Sequence, residues 1–97
     1  LVSGFNVFPN EIEDVIAELE GVVEVGVIGV PDERTEEAVK AFVVSSDPNM
    51  TAEQVIAHCK RSLTNYKRPK QVEFVSEIPK TPVGKVLRRS LREMNAR

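Results

Sequence analysis

A chain of 97 residues with one cysteine is long enough to bury a single hydrophobic core, removing roughly 65% of its unfolded surface from water, and has no disulfide to staple it. Hydrophobic content of 41% beside 29% charged residues suits an ordinary globular domain, and no apolar run approaches the ~20 residues that span a bilayer. The net charge of −2 hides an asymmetry: residues 1–53 carry twelve acids against Arg34 and Lys40, a net of −10, whereas residues 54–97 carry eleven cations against three acids, a net of +8. A reducing compartment and a positive region directed at a phosphorylated ligand or an acidic surface are the expectations. The chain opens on Leu1 with Gly4 and Asn6 already turn-like, which predicts a fragment beginning inside a longer protein.

Leu1 to Phe8 reads as a strand-like entry with a turn, Gly4 and Asn6 both tolerating positive φ. A first helix follows, with either Pro9 at its first position or Asn10 as N-cap and Glu13 completing a capping box. Ile12, Val15, Ile16 and Leu19 form its apolar stripe, and Gly21 ends it. Glu11, Glu13 and Asp14 lie in its first turn, where the helix dipole favours acids, so they need no metal or catalytic role. Val22–Val30 and Ala38–Ser45 are rich in valine and read as two strands, antiparallel across a polar turn. Thr51 and Gln54 cap a second helix that turns Ala52, Val55, Ile56, Cys59 and Leu63 inward, and Asn65 is expected as its left-handed C-cap. Cys59 is then a core thiol and His58 a surface residue on another helix face, with no metal cluster between them.

After the basic connector Tyr66 to Lys70, residues Gln71 to Val75 alternate as a third strand, with Val72 and Phe74 on one face. A third helix carries Leu87, Leu91 and Met94 inward and Arg88, Arg89 and Arg92 on its other side. The order α-β-β-α-β-α predicts an α+β domain: a small three-stranded sheet covered by helices, with the two early helices on one face.

Between the last strand and the last helix stands Pro79, Lys80, Thr81, Pro82, Val83, Gly84, Lys85. Two prolines predict a stiff, extended loop, and helical spacing after Lys85 places that lysine on or just before a helix N-terminus, where anions are attracted. Lys80 and Lys85 read equally well as solvated loop lysines. The phosphate-binding P-loop is absent, because Pro79 stands where its first glycine belongs and Val86 follows Lys85. There is no GxGxxG, and a single histidine assembles no Ser/His/Asp set. With few aromatics and an acidic first half, nucleic acid is not an expected partner.

Three stretches together resemble the small carboxy-terminal domain of the adenylate-forming acyl-CoA synthetase superfamily. Ser3 to Glu13 is similar to its glycine motif after the interdomain hinge, Leu63 to Pro69 to its "L, two residues, Y, two residues, P" element, and Pro79 to Lys85 to its terminal lysine motif. The wording of these stretches is most similar to bacterial long-chain fatty acid CoA ligases. The resemblance implies that residues 1–97 are a mobile domain whose partner is a large amino-terminal domain of the same chain. It implies ATP and CoA as substrates and a fatty acid activated to acyl-AMP and then acyl-CoA, with Mg2+ held by the large domain. Lys85 would be the adenylation lysine, Gly4 would line the CoA tunnel, and Gly84, Tyr66, Lys67 and Arg68 would be cofactor-binding residues. The domain alone is expected to be inactive, and the enzyme to be cytoplasmic with peripheral association at the inner membrane surface. Glu36 stands where the family commonly has glycine, so no CoA contact is carried onto that loop. An aryl, short-chain or peptide-synthetase adenylation domain is an alternative, as is a stand-alone nucleotide- or protein-binding module.

Overall fold

The computed structural model describes residues 6–33 and 36–96, so the turn expected at Gly4 lies outside the described residues. The elements are α1 (Pro9–Ala17), β1 (Val22–Asp32), β2 (Glu36–Ser45), α2 (Ala52–Lys60), a single 3-10 turn (Asn65–Lys67), β3 (Pro69–Phe74) and α3 (Arg88–Asn95). This is the expected α+β order.

The sheet runs β1-β2-β3. β1 and β2 pair antiparallel, with Val25 opposite Val43 and Val27 opposite Ala41. β3 joins β2 in parallel, Val72 lying opposite Ala41, and the return crossing that parallel pairing requires is made through α2. β1 is therefore an edge strand, which is why Pro31, with no N–H to donate, is tolerated opposite Glu37. The ladder continues to Asp32 opposite Glu36, so glutamate in place of the family's glycine leaves the pairing intact.

Both faces of β1 and β2 are covered, which explains their nearly continuous apolar sequences. Val27, Val39, Ala41 and Val43 face α1 and α2, packing with Ile12, Ile16, Val55 and Cys59. Ile28, Val30, Ala38 and Phe42 face the other way, against Leu91 of α3 and against Ile78 in the segment after β3. The two early helices thus share one face, as expected, and the third takes the opposite one. At Gly26 the approach of the third helix is closest: a Cβ there would stand 2.7 Å from Leu91 Cδ1, 3.2 Å from Ile78 Cγ2 and 3.3 Å from Val86 Cγ1.

Several local expectations are corrected. α1 begins with Pro9 at its first position and Phe8 as N-cap, with no side-chain cap, so Asn10 and Glu13 form no capping box and are released for other contacts. The helix ends at Ala17, and Gly21, at φ 97°, makes the turn into β1 instead. Thr51 and Gln54 do form the capping box of α2. That helix stops at Lys60 with Arg61 right-handed, and Asn65 opens the 3-10 turn rather than serving as a left-handed cap. His58 is not a surface residue: only 19% of its side chain is exposed, and Nε2 lies 2.9 Å from the Val15 carbonyl, tying α2 to α1. β3 starts two residues before the expected Gln71 because Pro69 is buried and paired with Val39. Val72 packs on the core as expected, whereas Phe74 remains 39% exposed.

Candidate functional site

The segment Pro79 to Leu87 is a small hairpin, not an extended loop. Leu87 N–H donates to Pro79 O at 2.9 Å, Lys80 bridges antiparallel to Val86, and Thr81 N–H donates to Lys85 O at 2.7 Å. Across the tip Gly84 N–H donates to Thr81 O at 2.9 Å, and Lys85 N–H donates to the Thr81 hydroxyl at 3.2 Å. Pro82 sets the first corner with its fixed φ, and Gly84 closes the tip at φ 85°, a left-handed value that favours glycine. No atom stands within 4 Å of a Cβ built on Gly84, so its requirement is conformational and not steric.

This corrects the placement of Lys85. α3 begins at Arg88, with Leu87 as an N-cap whose side chain caps nothing, so the lysine is three residues short of the helix and gains nothing from that helix end. What the fold supplies is presentation. Lys85 is exposed at the side of the hairpin, and among the described residues its ammonium has no hydrogen-bond or ion-pair partner. Its neighbour Lys80, by contrast, is ion-paired with Glu24 of β1. Val86 packs on the sheet at Gly26, and Val83 stands 79% exposed at the tip. A charged group on a doubly anchored arm, open to solvent, is suited to meet an anion delivered from outside.

Tyr66, Lys67 and Arg68 lie elsewhere. Tyr66 packs against the core on the α1 and α2 face, whereas Val86 packs on the α3 face. The hairpin and the Tyr66 turn therefore sit over opposite faces of the sheet. Lys67 Nζ donates to both Glu11 carboxylate oxygens at 2.9 and 3.1 Å, and this hydrogen bond pushes the lysine above its ordinary value. Arg68 Nε donates to the Leu63 carbonyl at 2.8 Å. Both cations hold the turn between α2 and β3 in place.

The charge asymmetry of the sequence is partly resolved by pairing between its halves: Lys67 with Glu11, Arg88 with Glu13, Lys80 with Glu24, Lys70 with Asp32. Lys60, Arg61, Arg68, Lys85, Arg89 and Arg92 remain without ion-pair partners among the described residues. Those residues contain no group of three or more His, Cys, Asp or Glu able to hold a metal ion.

One cluster was not legible in the sequence. Arg88 Nη2 donates to Glu13 Oε2 at 2.9 Å, Glu13 Oε1 at 3.0 Å and Asn10 Oδ1 at 3.0 Å, while Glu13 Oε2 also accepts from Val27 N–H at 2.9 Å. Burial pushes the Glu13 carboxyl above its ordinary value, against the opposing pull of the Val27 N–H and the Arg88 guanidinium. Residues 10 and 88 are far apart in the chain, and an acid in a first helical turn is already explained by the dipole, so no local signal marks the contact.

A three-stranded α+β domain that presents an exposed lysine, unpaired among the described residues, on an anchored hairpin is the structural class defined here. Residues 11–85 match the model of the AMP-binding enzyme C-terminal domain, and the chain belongs to that family. A long-chain-fatty-acid–CoA ligase of Salmonella typhimurium is 59% identical over 93 residues, which is 96% of this chain and 17% of that protein. The solved structure of a Mycobacterium tuberculosis fatty acyl CoA synthetase matches 96% of this chain and 18% of its own, at 44% identity and a TM-score of 0.88. An anthranilate CoA ligase in complex with anthranoyl-AMP matches 96% of this chain and 19% of its own, at 36% identity and a TM-score of 0.85.

Proposed function

We propose that residues 1–97 are the mobile carboxy-terminal domain of a long-chain fatty acid CoA ligase, working against a large amino-terminal domain of the same chain. The observation that carries this reading is Lys85: exposed, without a partner among the described residues, and held on a closed hairpin at the position of the family's terminal lysine motif. In the first half-reaction a fatty acid carboxylate attacks the α-phosphate of ATP and pyrophosphate leaves, giving acyl-AMP. Two anionic groups approach and negative charge shifts to the departing pyrophosphate. The Lys85 ammonium, a compact point charge, lies between carboxylate and α-phosphate and offsets that repulsion. A preorganised donor of this kind contributes about 3 to 4 kcal/mol to transition-state stabilisation.

In the second half-reaction the CoA thiolate attacks the acyl carbon and AMP leaves. The domain rotates so that another surface faces the acyl-adenylate, with Gly4 lining the passage for the CoA arm. The location of the Tyr66 turn, over the opposite face from the Lys85 hairpin, supports a domain that uses two surfaces. Lys67 is committed to Glu11 and Arg68 to the Leu63 and Lys60 carbonyls, so contact of these two with CoA is left to the guanidinium N–H groups that Arg68 does not use. Mg2+ is assigned to the large domain. The acid is chosen there too: relatives named for a long-chain fatty acid and for anthranilate share this domain. We place the enzyme in the cytoplasm, at the inner membrane surface; Cys59 is a buried free thiol, as a reducing compartment allows.

In the full-length enzyme, Lys85→Ala is expected to lower adenylate formation from acid and ATP by a hundredfold to a thousandfold, roughly the effect of losing one such donor. Thioesterification of supplied acyl-adenylate should persist, and equal loss in both half-reactions would overturn the assignment. Calorimetry of the isolated domain with ATP and with CoA separates the stand-alone module, for which tight binding without the large domain is required.

A further inference from the structure

The Arg88 cluster joins three elements that are distant in sequence. Asn10 and Glu13 occupy the first turn of α1, directly after the segment that carries Gly4; Val27 is in the middle of β1; Arg88 is the first residue of α3, directly after the hairpin that carries Lys85. Side-chain exposure is 26% for Arg88 and 12% for Glu13, so the contact is shielded from the solvent that makes surface pairs weak. A single nitrogen, Nη2, makes all three contacts, while Nε is buried without an acceptor. This is a clasp between the first turn of α1 and the base of the Lys85 hairpin.

We propose that Arg88 is a positioning residue, which through Glu13 and Asn10 sets the Lys85 hairpin in a fixed relation to α1. The inference rests on the reading of Lys85 as the adenylating charge. The hairpin is closed at its base by Leu87 N–H on Pro79 O, so a shift of Arg88 is passed to the base one residue away and on to Lys85. A misplacement of about 1 Å at a reacting group can cost on the order of a hundredfold in rate. Asn10 and Glu13 are held from the other side by α1, and Val27 N–H fixes the carboxylate so that the guanidinium meets a rigid acceptor.

In the full-length ligase, Arg88→Met should lower the turnover of adenylate formation about ten- to a hundredfold with little change in the KM for ATP. Arg88→Lys should recover part of that loss. Glu13→Gln retains an acceptor for Val27 N–H and should show a smaller loss of the same kind. The double variant should be no slower than the slower single, because both act through one contact. Val55→Ala, buried under α2 on the opposite face of the sheet from the hairpin, serves as the control for destabilisation alone.

A wild-type adenylation rate in Arg88→Met, alongside an inactive Lys85→Ala, overturns the clasp and leaves the reading of Lys85 intact. So does a loss that Val55→Ala reproduces at the same fall in melting temperature. Should Arg88→Met fail to fold, Arg88→Lys and Glu13→Gln carry the comparison, and wild-type turnover in both overturns the proposal. Full adenylation by Lys85→Ala overturns both.

Discussion

Lys40 and Lys85 have the same side chain and opposite surroundings. Lys40 is only 8% exposed on the central strand, its ammonium 2.9 Å from Glu73, 2.7 Å from Asn95 Oδ1 and 4.8 Å from the centre of the Phe42 ring. It joins β2 to β3 and to the last turn of α3, and it is the residue that a pattern of apolar alternation passes over. Lys85 has none of these contacts among the described residues, and its charge is left to solvent. Cys59 belongs to the first kind: it is fully buried, and burial pushes its thiol up to about 11 from 9.0. The thiolate is disfavoured in the folded state, so the stability this gives is complete below pH 9 and is lost as pH rises through 11. Urea unfolding between pH 8 and 11 should show that decline, and Cys59→Ala should flatten the part above pH 9 although it is less stable throughout. A native-state thiol titration that reacts as fast as unfolded chain would contradict the burial.

At the scale of elements, two glycines do different work. Gly84 is required by backbone alone, and Gly84→Ala should cost about 1 to 2 kcal/mol through the left-handed conformation. Gly26 is required by packing, since its Cβ would meet Leu91, Ile78 and Val86 together. Gly26→Ala should destabilise the domain by about 1 to 3 kcal/mol, the usual range for overpacking. Urea midpoints of the two variants check both numbers. An unmoved midpoint for Gly26→Ala would mean that the Leu91 side chain yields freely and the third helix is loosely seated. The capping box of α2 and the stripe of α1 were legible because each depends on residues within a few positions of one another. The start of α1 was not settled by the same rules: Pro9 and Asn10 are both acceptable helix openers, and it is the recruitment of Asn10 and Glu13 by Arg88 that accompanies the Pro9 solution.

For the whole molecule, the arrangement of interest is the sheet with two covered faces, α1, α2 and the Tyr66 turn over one and α3 with the hairpin over the other. A domain that presents one face for adenylation and another for thioester formation should give separable defects. Gly4→Leu in the full-length enzyme is therefore expected to slow thioesterification of supplied acyl-adenylate while sparing adenylate formation. The reverse result, or parallel loss, would contradict the use of two surfaces. Assay of residues 1–97 alone should detect neither half-reaction.

By itself the amino-acid sequence determined the element order, the apolar stripes, the capping box of α2 and the three motifs, because those are written in neighbouring residues and in spacings of a few positions. Only the tertiary structure decided that β3 runs parallel to β2, that His58 is tied down by Val15, and that Lys85 rides a hairpin clear of the helix. The same holds for Glu13, which spacing explains as an acid in a first turn and which the fold places under Arg88 at 2.9 Å. For three of them the physical reason is common: each depends on a backbone or side-chain partner that the folding of the sheet brings close, and no local preference of the residues concerned distinguishes that partner from solvent; the hairpin closes on its own backbone, but what seats it is Val86 packed at Gly26 of the sheet.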